Sequence, residues 1–359
     1  MAGLRVSVSR LRKGMIITEN VYNNVGVILV TQETPVTKEV VNILSKHLID
    51  SVMIRYEMRE KDSSSVDDSS EQEEKAKQFE EFKESFTIAE NTLTENLKDI
   101  VYNSKDVNVS LLLDTTNQIL QKSNNEIDLV NMLRMMKKNT ESLYTHSINV
   151  SILGQILAKW VNCTQQEIEI VSVAGLLHDI GILKFTEDKL DSFTFREEME
   201  NGRYKKHVIY GYNIIKDQNI DNDIKQAVLT HHERMNGSGF PLQVRYDRIN
   251  KISRILAIAD IYDTYTMKEE GVQPMSVFAA LKHMEKMNFD NILDSQFLIK
   301  FTSNIAQTMI HQNVLLSDGR TGKVIMINQF DISCPLVQVG MEFVDLSKQK
   351  NIQIKKILD

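Results

Sequence analysis

Histidine and aspartate recur inside otherwise apolar helical stretches of this chain, and burying them there is costly unless something compensates. Five of the eight histidines, His146, His178, His207, His231 and His232, stand at positions that build one cage, with Asp179 and Asp260 completing it. Neutral imidazole nitrogens bind transition metals and a carboxylate can bridge two of them, so mixed His/Asp sets suit iron, manganese or zinc. The set predicts a bundle of helices that gathers separated side chains around metal, and it points to metal-dependent hydrolytic chemistry.

Each member also has a plainer reading. His146 shares a helical stripe with Val150, Leu153 and Leu157 and faces the interior, where a lone histidine is more often a hydrogen-bonded core residue. His178-Asp179 ends an apolar helix just before Gly181, so a carboxylate and an imidazole reach one place together. Adjacent helical residues diverge by about 100°. His231 and His232 therefore face one site only at an irregularity, which Gly237, Gly239 and Pro241 predict. The doublet's plainer reading, the lesser of the two, is a helix end whose imidazoles interact with its own carbonyls. Asp260 and Asp263, three residues apart in an apolar helix, share a face and require pairing, hydrogen bonding or metal. Gly211, one turn after His207, lets that ring approach a neighbouring helix.

The chain has 359 residues, 42% hydrophobic and 25% charged, enough for a core and about two or three domains. Its 42 basic and 49 acidic residues give a net charge of −7, and Glu57–Glu84 alone holds eleven acids against five bases. No basic stripe exists to neutralise a phosphate backbone, which argues against long nucleic acids but not against a small phosphate ligand. Cys163 and Cys334 match no metal or redox spacing and fit a reducing cytoplasm. Neither a signal peptide nor an apolar run of about 18 residues is present, so a soluble cytoplasmic protein with no membrane partner is expected.

Residues 1–56 alternate short strand-like runs (Met15–Ile17, Val25–Thr31, Val52–Ile54) with a helix capped near Thr37, predicting a small α+β accessory module. Residues 57–78, rich in serine and acids, are expected to be a flexible linker. From 79 to 125 a long helix and connecting helices follow. The apolar positions Phe79, Phe82, Phe86, Ala89, Leu93 and Ile100, with polar Asn96 between, have coiled-coil spacing. About three heptads is short, so a helix packed on its own domain is the first expectation and a homodimer through the 79–100 helix the alternative. Residues 126–311 read as the helical metal domain, in which Thr164-x-x-Glu167 is a capping box. Residues 312–359 turn to short alternating runs around Asp318-Gly319 and predict a small β module.

Four motifs in order carry a resemblance: Leu176-Leu177-His178-Asp179-Ile180-Gly181, His207-x-x-x-Gly211, His231-His232-Glu233 through Gly239-Phe240-Pro241, and Ala257-Ile258-Ala259-Asp260-x-x-Asp263. Over residues 126–310 the chain resembles the HD-GYP family, a branch of the HD superfamily of metal-dependent phosphohydrolases whose usual substrate is cyclic di-GMP. The resemblance implies a mainly α fold, a helical HD-GYP bundle core flanked by the two small modules. It makes His146, His178, Asp179, His207, His231, His232 and Asp260 the ligands of two transition-metal ions, iron or manganese ahead of zinc, with Asp179 bridging them. Such ions activate water and stabilise charge growing on phosphoryl oxygens.

The chain also departs from the family. Ile182 stands where a lysine is expected, Phe240 replaces the tyrosine of the GYP motif, and Glu269 and Val272 stand where substrate-binding bases are expected. Ser142 lies where some members use a glutamate for a third metal, which favours two ions. Asp179 and Lys184 are the candidate catalytic residues, and Arg234 and Phe240 the candidate substrate contacts. The expected function is a phosphodiesterase acting on a cyclic dinucleotide or another small phosphoester, with attenuated rate or altered specificity. Losing a donor that stabilises developing charge costs about 10²–10³ in rate. The rival expectation is therefore a metal-bearing receptor or scaffold that hydrolyses little.

Overall fold

In the computed structural model, the described residues are 4–8, 11, 15–22, 28–47, 49, 51–56, 67–137, 142–185, 204–268, 273–328 and 330–358. They fall into two compact units, residues 1–72 and 73–359.

In the first unit, β1 (Leu4–Ser7), β6 (Ser51–Tyr56), β2 (Met15–Ile17) and β5 (Thr34–Pro35) form an antiparallel sheet in that order, and β3 (Val21–Tyr22) pairs with β4 (Ile28–Val30). Helix α1 (Lys38–Lys46) starts at Thr37, whose hydroxyl accepts from the Val40 amide. Ile17, Leu44, Val52 and Ile54 bury together as its core. Strand β1 lies outside the runs expected from sequence.

Helix α2 (Asp67–Tyr102) begins in the segment expected to be a linker and from residue 73 onward belongs to the second unit, which is mainly helical. Residues 57–66 of that segment lie outside the described residues. The helical part from Asp67 corrects the expectation: its Glu, Gln, Lys and Ala content suits a helix as well as a solvated coil. Phe82, Phe86, Ala89, Leu93 and Ile100 are buried in this unit's own core, joined by Leu97, while Asn96 bonds back to the Thr92 carbonyl. The apolar seam thus packs on its own chain, as the first of the two expectations for the 79–100 helix has it.

The bundle continues with α3 (Val109–Leu120), α4 (Glu126–Met136), α5 (Leu143–Trp160) and α6 (Gln165–Leu177). Thr164 and Glu167 form the reciprocal cap at the start of α6, and Ser142 caps α5. From Tyr144 to Ala158 every residue of α5 except Thr145 is buried, the pattern of a helix enclosed on all sides. A 3₁₀ turn (Ile180–Lys184) follows α6, then α7 (His207–Ile215), α8 (Asn222–Thr230), α9 (Lys251–Thr266), α10 (Val277–Phe289) and α11 (Ser295–Thr308). Helix α5 packs against both α6 and α9, and α7 packs on the 3₁₀ turn and on α8.

The C-terminal sheet has the order β10 (Glu342–Asp345), β9 (Leu336–Val339), β8 (Thr321–Met326), β7 (Asn313–Leu316) and β11 (Ile354–Leu358). Gly319, at φ +89°, makes the β7–β8 turn. Val314, Leu316, Val324, Val337 and Ile357 join the same apolar core as the helices, so the sheet shares the compact unit with the metal domain. Among the described residues no helix is long and apolar enough to cross a membrane.

Candidate metal centre

Helix ends and the interiors of two helices bring all seven predicted ligands together. His146 lies inside α5, His178 caps α6 with Asp179 beside it, His207 opens α7, His231 caps α8 with His232 beside it, and Asp260 lies within α9. They form two sets whose donor atoms lie within 4.8 Å of one another: Asp179, His207, His231 and His232 in one, and His146, His178 and Asp260 in the other. All seven are buried.

Two glycines make the approach possible. A Cβ on Gly181 would lie 2.0 Å from the His207 carbonyl oxygen, and one on Gly239 would lie 2.4 Å from that of His232. Real Cβ atoms do not approach so closely, so only glycine lets the 3₁₀ turn touch α7 and the following loop touch His232. The loop is held in turn by Glu233, whose Oε1 accepts from the amides of Leu242 (2.6 Å) and Gln243 (3.0 Å).

Asp179 joins the two sets. Its Oδ1 faces His207 Nε2 at 3.1 Å and His231 Nε2 at 3.7 Å, while its Oδ2 faces His178 Nε2 at 3.2 Å and His146 Nε2 at 3.8 Å. Asp260 approaches His146 Nε2 at 3.3 Å through Oδ1 and His232 Nδ1 at 3.7 Å through Oδ2.

Outer hydrogen bonds determine which ring nitrogen each histidine turns inward. His178 Nδ1 donates to the Gly175 carbonyl at 2.8 Å, His207 Nδ1 to the Tyr204 carbonyl, and His231 Nδ1 to the Val228 carbonyl at 3.1 Å. In a neutral ring the other nitrogen is then an acceptor. His207 Nε2 and His231 Nε2 nevertheless face each other at 3.4 Å, two acceptors with no proton between them. His178 Nε2, both Asp179 oxygens and Asp260 Oδ2 are buried and make no hydrogen bond. Converging lone pairs of this kind fit divalent cations, and outer-shell anchoring of the histidines is what such a site needs.

His146 is anchored by a carboxylate instead. Its Nδ1 donates to Asp263 Oδ2 at 2.7 Å, and Asp263 pairs with Lys137, whose Nζ also donates to Thr266 at 2.7 Å. Asp263 thus stands behind His146, and Lys137 behind Asp263. The shared face of the two aspartates was visible in the sequence. Lys137 gave no signal there.

The charges are strongly coupled. Burial alone would raise Asp179, but His178 and His207 hold it well below the usual carboxylate range. Burial would likewise lower His146, but Asp260 and Asp263 push it well above its ordinary value. Burial brings His231 down to about 4, and burial with His231 and His207 nearby keeps His232 well below its ordinary value.

The remaining candidates divide. Phe240 stacks on the His232 ring at 4.7 Å and meets His207 edge-on at 6.4 Å. Half-buried Arg234 adjoins the doublet, its Nη1 donating to the carbonyls of His231 (3.1 Å) and Glu233 (3.0 Å). Lys184 is corrected: it is exposed on the 3₁₀ turn and donates to the Val101 carbonyl at 3.4 Å, so the turn directs it to α2 rather than to the buried cluster. Ile182 is 1% exposed, part of the apolar core. Ser142, besides capping α5, donates to Glu90 Oε1 at 2.8 Å. Glu269 and Val272 lie outside the described residues.

Residues 127–297 match the family model described as HD domain. The chain is 26% identical over 212 residues to the cyclic di-GMP phosphodiesterase PA4108 of Pseudomonas aeruginosa, covering 59% of this chain and 50% of that one. It is 26% identical over 246 residues to the cyclic di-GMP phosphodiesterase PdeB of Borreliella burgdorferi, covering 64% and 63%. A third relative is the 3'3'-cGAMP-specific phosphodiesterase 2 of Vibrio cholerae, 26% identical over 170 residues, covering 46% and 33%. The chain thus spans half to 63% of the first two relatives. A helical bundle whose buried His/Asp sets suit divalent cations defines an HD-domain protein. Within that class, the four motifs and the cyclic-dinucleotide phosphodiesterases that the chain resembles support a likeness to the HD-GYP family.

Proposed function

We propose that the chain is a two-metal phosphodiesterase that hydrolyses a cyclic dinucleotide, cyclic di-GMP or a mixed relative of it, with lowered rate or altered specificity. The observation that carries this is the division of Asp179, one oxygen toward each histidine set. His207, His231 and His232 would hold one ion, His146, His178 and Asp260 the other, and Asp179 both; iron or manganese suits this mixed N/O set, with zinc also compatible. Bound there, the ions supply an activated water and stabilise charge on the phosphoryl oxygens.

The chain's own residues then orient and shield. The backbone carbonyls and Asp263 fix the imidazole rings, and Phe240 covers His232 with an apolar face. Arg234 supplies positive charge beside the cluster, suited to a substrate phosphate. Ile182 supplies none, which is the basis for expecting a slow or altered enzyme.

Protein reconstituted with manganese, iron or zinc should be assayed against cyclic di-GMP, 3'3'-cGAMP and cyclic di-AMP, with Asp179→Asn as control. Metal-dependent linear product that the control loses by about 10²-fold or more supports the reading. Metal-loaded, folded protein inactive on all three contradicts it and leaves the receptor reading.

A further inference from the structure

Tyr204 touches two histidines of the same set through two different atoms. It begins the short 3₁₀ turn before α7 and is 3% exposed. Its carbonyl accepts from His207 Nδ1, and its hydroxyl lies 3.3 Å from His232 Nε2. Its ring lies 4.4 Å from that of His207 and 5.6 Å from that of His232.

His232 is oriented differently from the other four. His178, His207 and His231 turn Nδ1 onto backbone carbonyls and His146 turns it onto Asp263, so Nε2 is their inward atom. In His232 the order is reversed: Nε2 meets the Tyr204 hydroxyl, and Nδ1 lies 3.7 Å from Asp260 Oδ2. A nitrogen that holds a cation must keep its lone pair, so the ring proton then belongs on Nε2, donated to the Tyr204 oxygen. The reversal also accommodates chain geometry. His231 and His232 are neighbours at a helix end, and using opposite ring nitrogens lets both rings serve one set.

We infer, resting on the two-metal reading, that Tyr204 is a positioning residue that fixes two ligands at once and makes His232 present Nδ1 to the centre. The carbonyl would do its part with any side chain. The hydroxyl is what distinguishes tyrosine here.

Zinc, being diamagnetic, allows the test on the full chain. Nitrogen-15 NMR of zinc-loaded wild type should show His232 protonated on Nε2 and coordinated through Nδ1, whereas coordination through Nε2 overturns the inference without any variant. Tyr204→Phe keeps the ring and the carbonyl and removes the hydroxyl. It should weaken one of two zinc ions by about 10–100-fold, the usual cost of losing an outer-shell partner, and leave the other unchanged. In a His232→Ala background the same substitution should have no further effect. Wild-type affinity in Tyr204→Phe, or an equal loss with His232 absent, overturns the inference while leaving the two-metal reading intact. Failure of wild type to bind zinc, iron or manganese overturns both.

Discussion

Replacing Asp263 with asparagine keeps the side chain's size and an acceptor for His146 Nδ1 but removes a negative charge that is 0% exposed. That charge pairs with Lys137, whose side chain is only 9% exposed. Removing one member of a buried ion pair costs about 3–5 kcal/mol, because the remaining charge stays desolvated. Metal-free Asp263→Asn should therefore lose about that much in urea unfolding. It should also lose about 10–100-fold in metal affinity, since the carboxylate no longer backs His146. Adding Lys137→Met removes the cation as well, so the double variant should be more stable than Asp263→Asn alone. An Asp263→Asn protein within about 0.5 kcal/mol of wild type, the range of an ordinary surface change, would refute the reasoning.

Three further outcomes are expected. Ile182→Lys should lower the melting temperature, because a buried ammonium costs about 3 kcal/mol or more; unchanged melting would contradict the buried placement. Phe82→Glu with Leu93→Glu should unfold or strongly destabilise the helical unit, seen by circular dichroism, and a well-folded monomer would restore the dimer reading of α2. Metal-free protein should lose stability as pH falls from about 6.5 to 4, because unfolded histidine takes up a proton that His231, brought down by burial to about 4, does not. His231 alone makes that loss about 3 kcal/mol, and His232 adds to it in the same direction. His146 and His178 act oppositely: raised when folded, they stabilise below about 6.5 and lose that contribution as pH rises through their folded values. A flat profile of metal-free unfolding across both limbs would contradict the buried charge arrangement.

The histidines and aspartates were legible because each interrupts an apolar helical pattern, and only shared burial explains so many interruptions. How Asp179 divides its oxygens depends on where α7 and α8 return to α6, which spacing does not contain. Lys137 could not be found, since its partner Asp263 is 126 residues away. Lys184 was misread because a lysine two residues beyond an expected one looks equivalent in a line. In three dimensions the 3₁₀ turn sends Ile182 inward and Lys184 outward. The first turns of α2 are as charged as a linker, so low hydrophobicity did not separate helix from coil there. Its seam was legible as apolar spacing but not as to partner, because intramolecular and intermolecular burial demand the same stripe.

Two buried His/Asp sets joined by Asp179 should hold two ions. Elemental analysis of the purified full chain, with His178→Ala plus Asp179→Ala alongside, tests it most directly. Close to two transition-metal ions per wild-type chain, mostly lost in the double variant, is the predicted result. A normally folded wild type that remains metal-free after incubation with manganese, iron and zinc would contradict it.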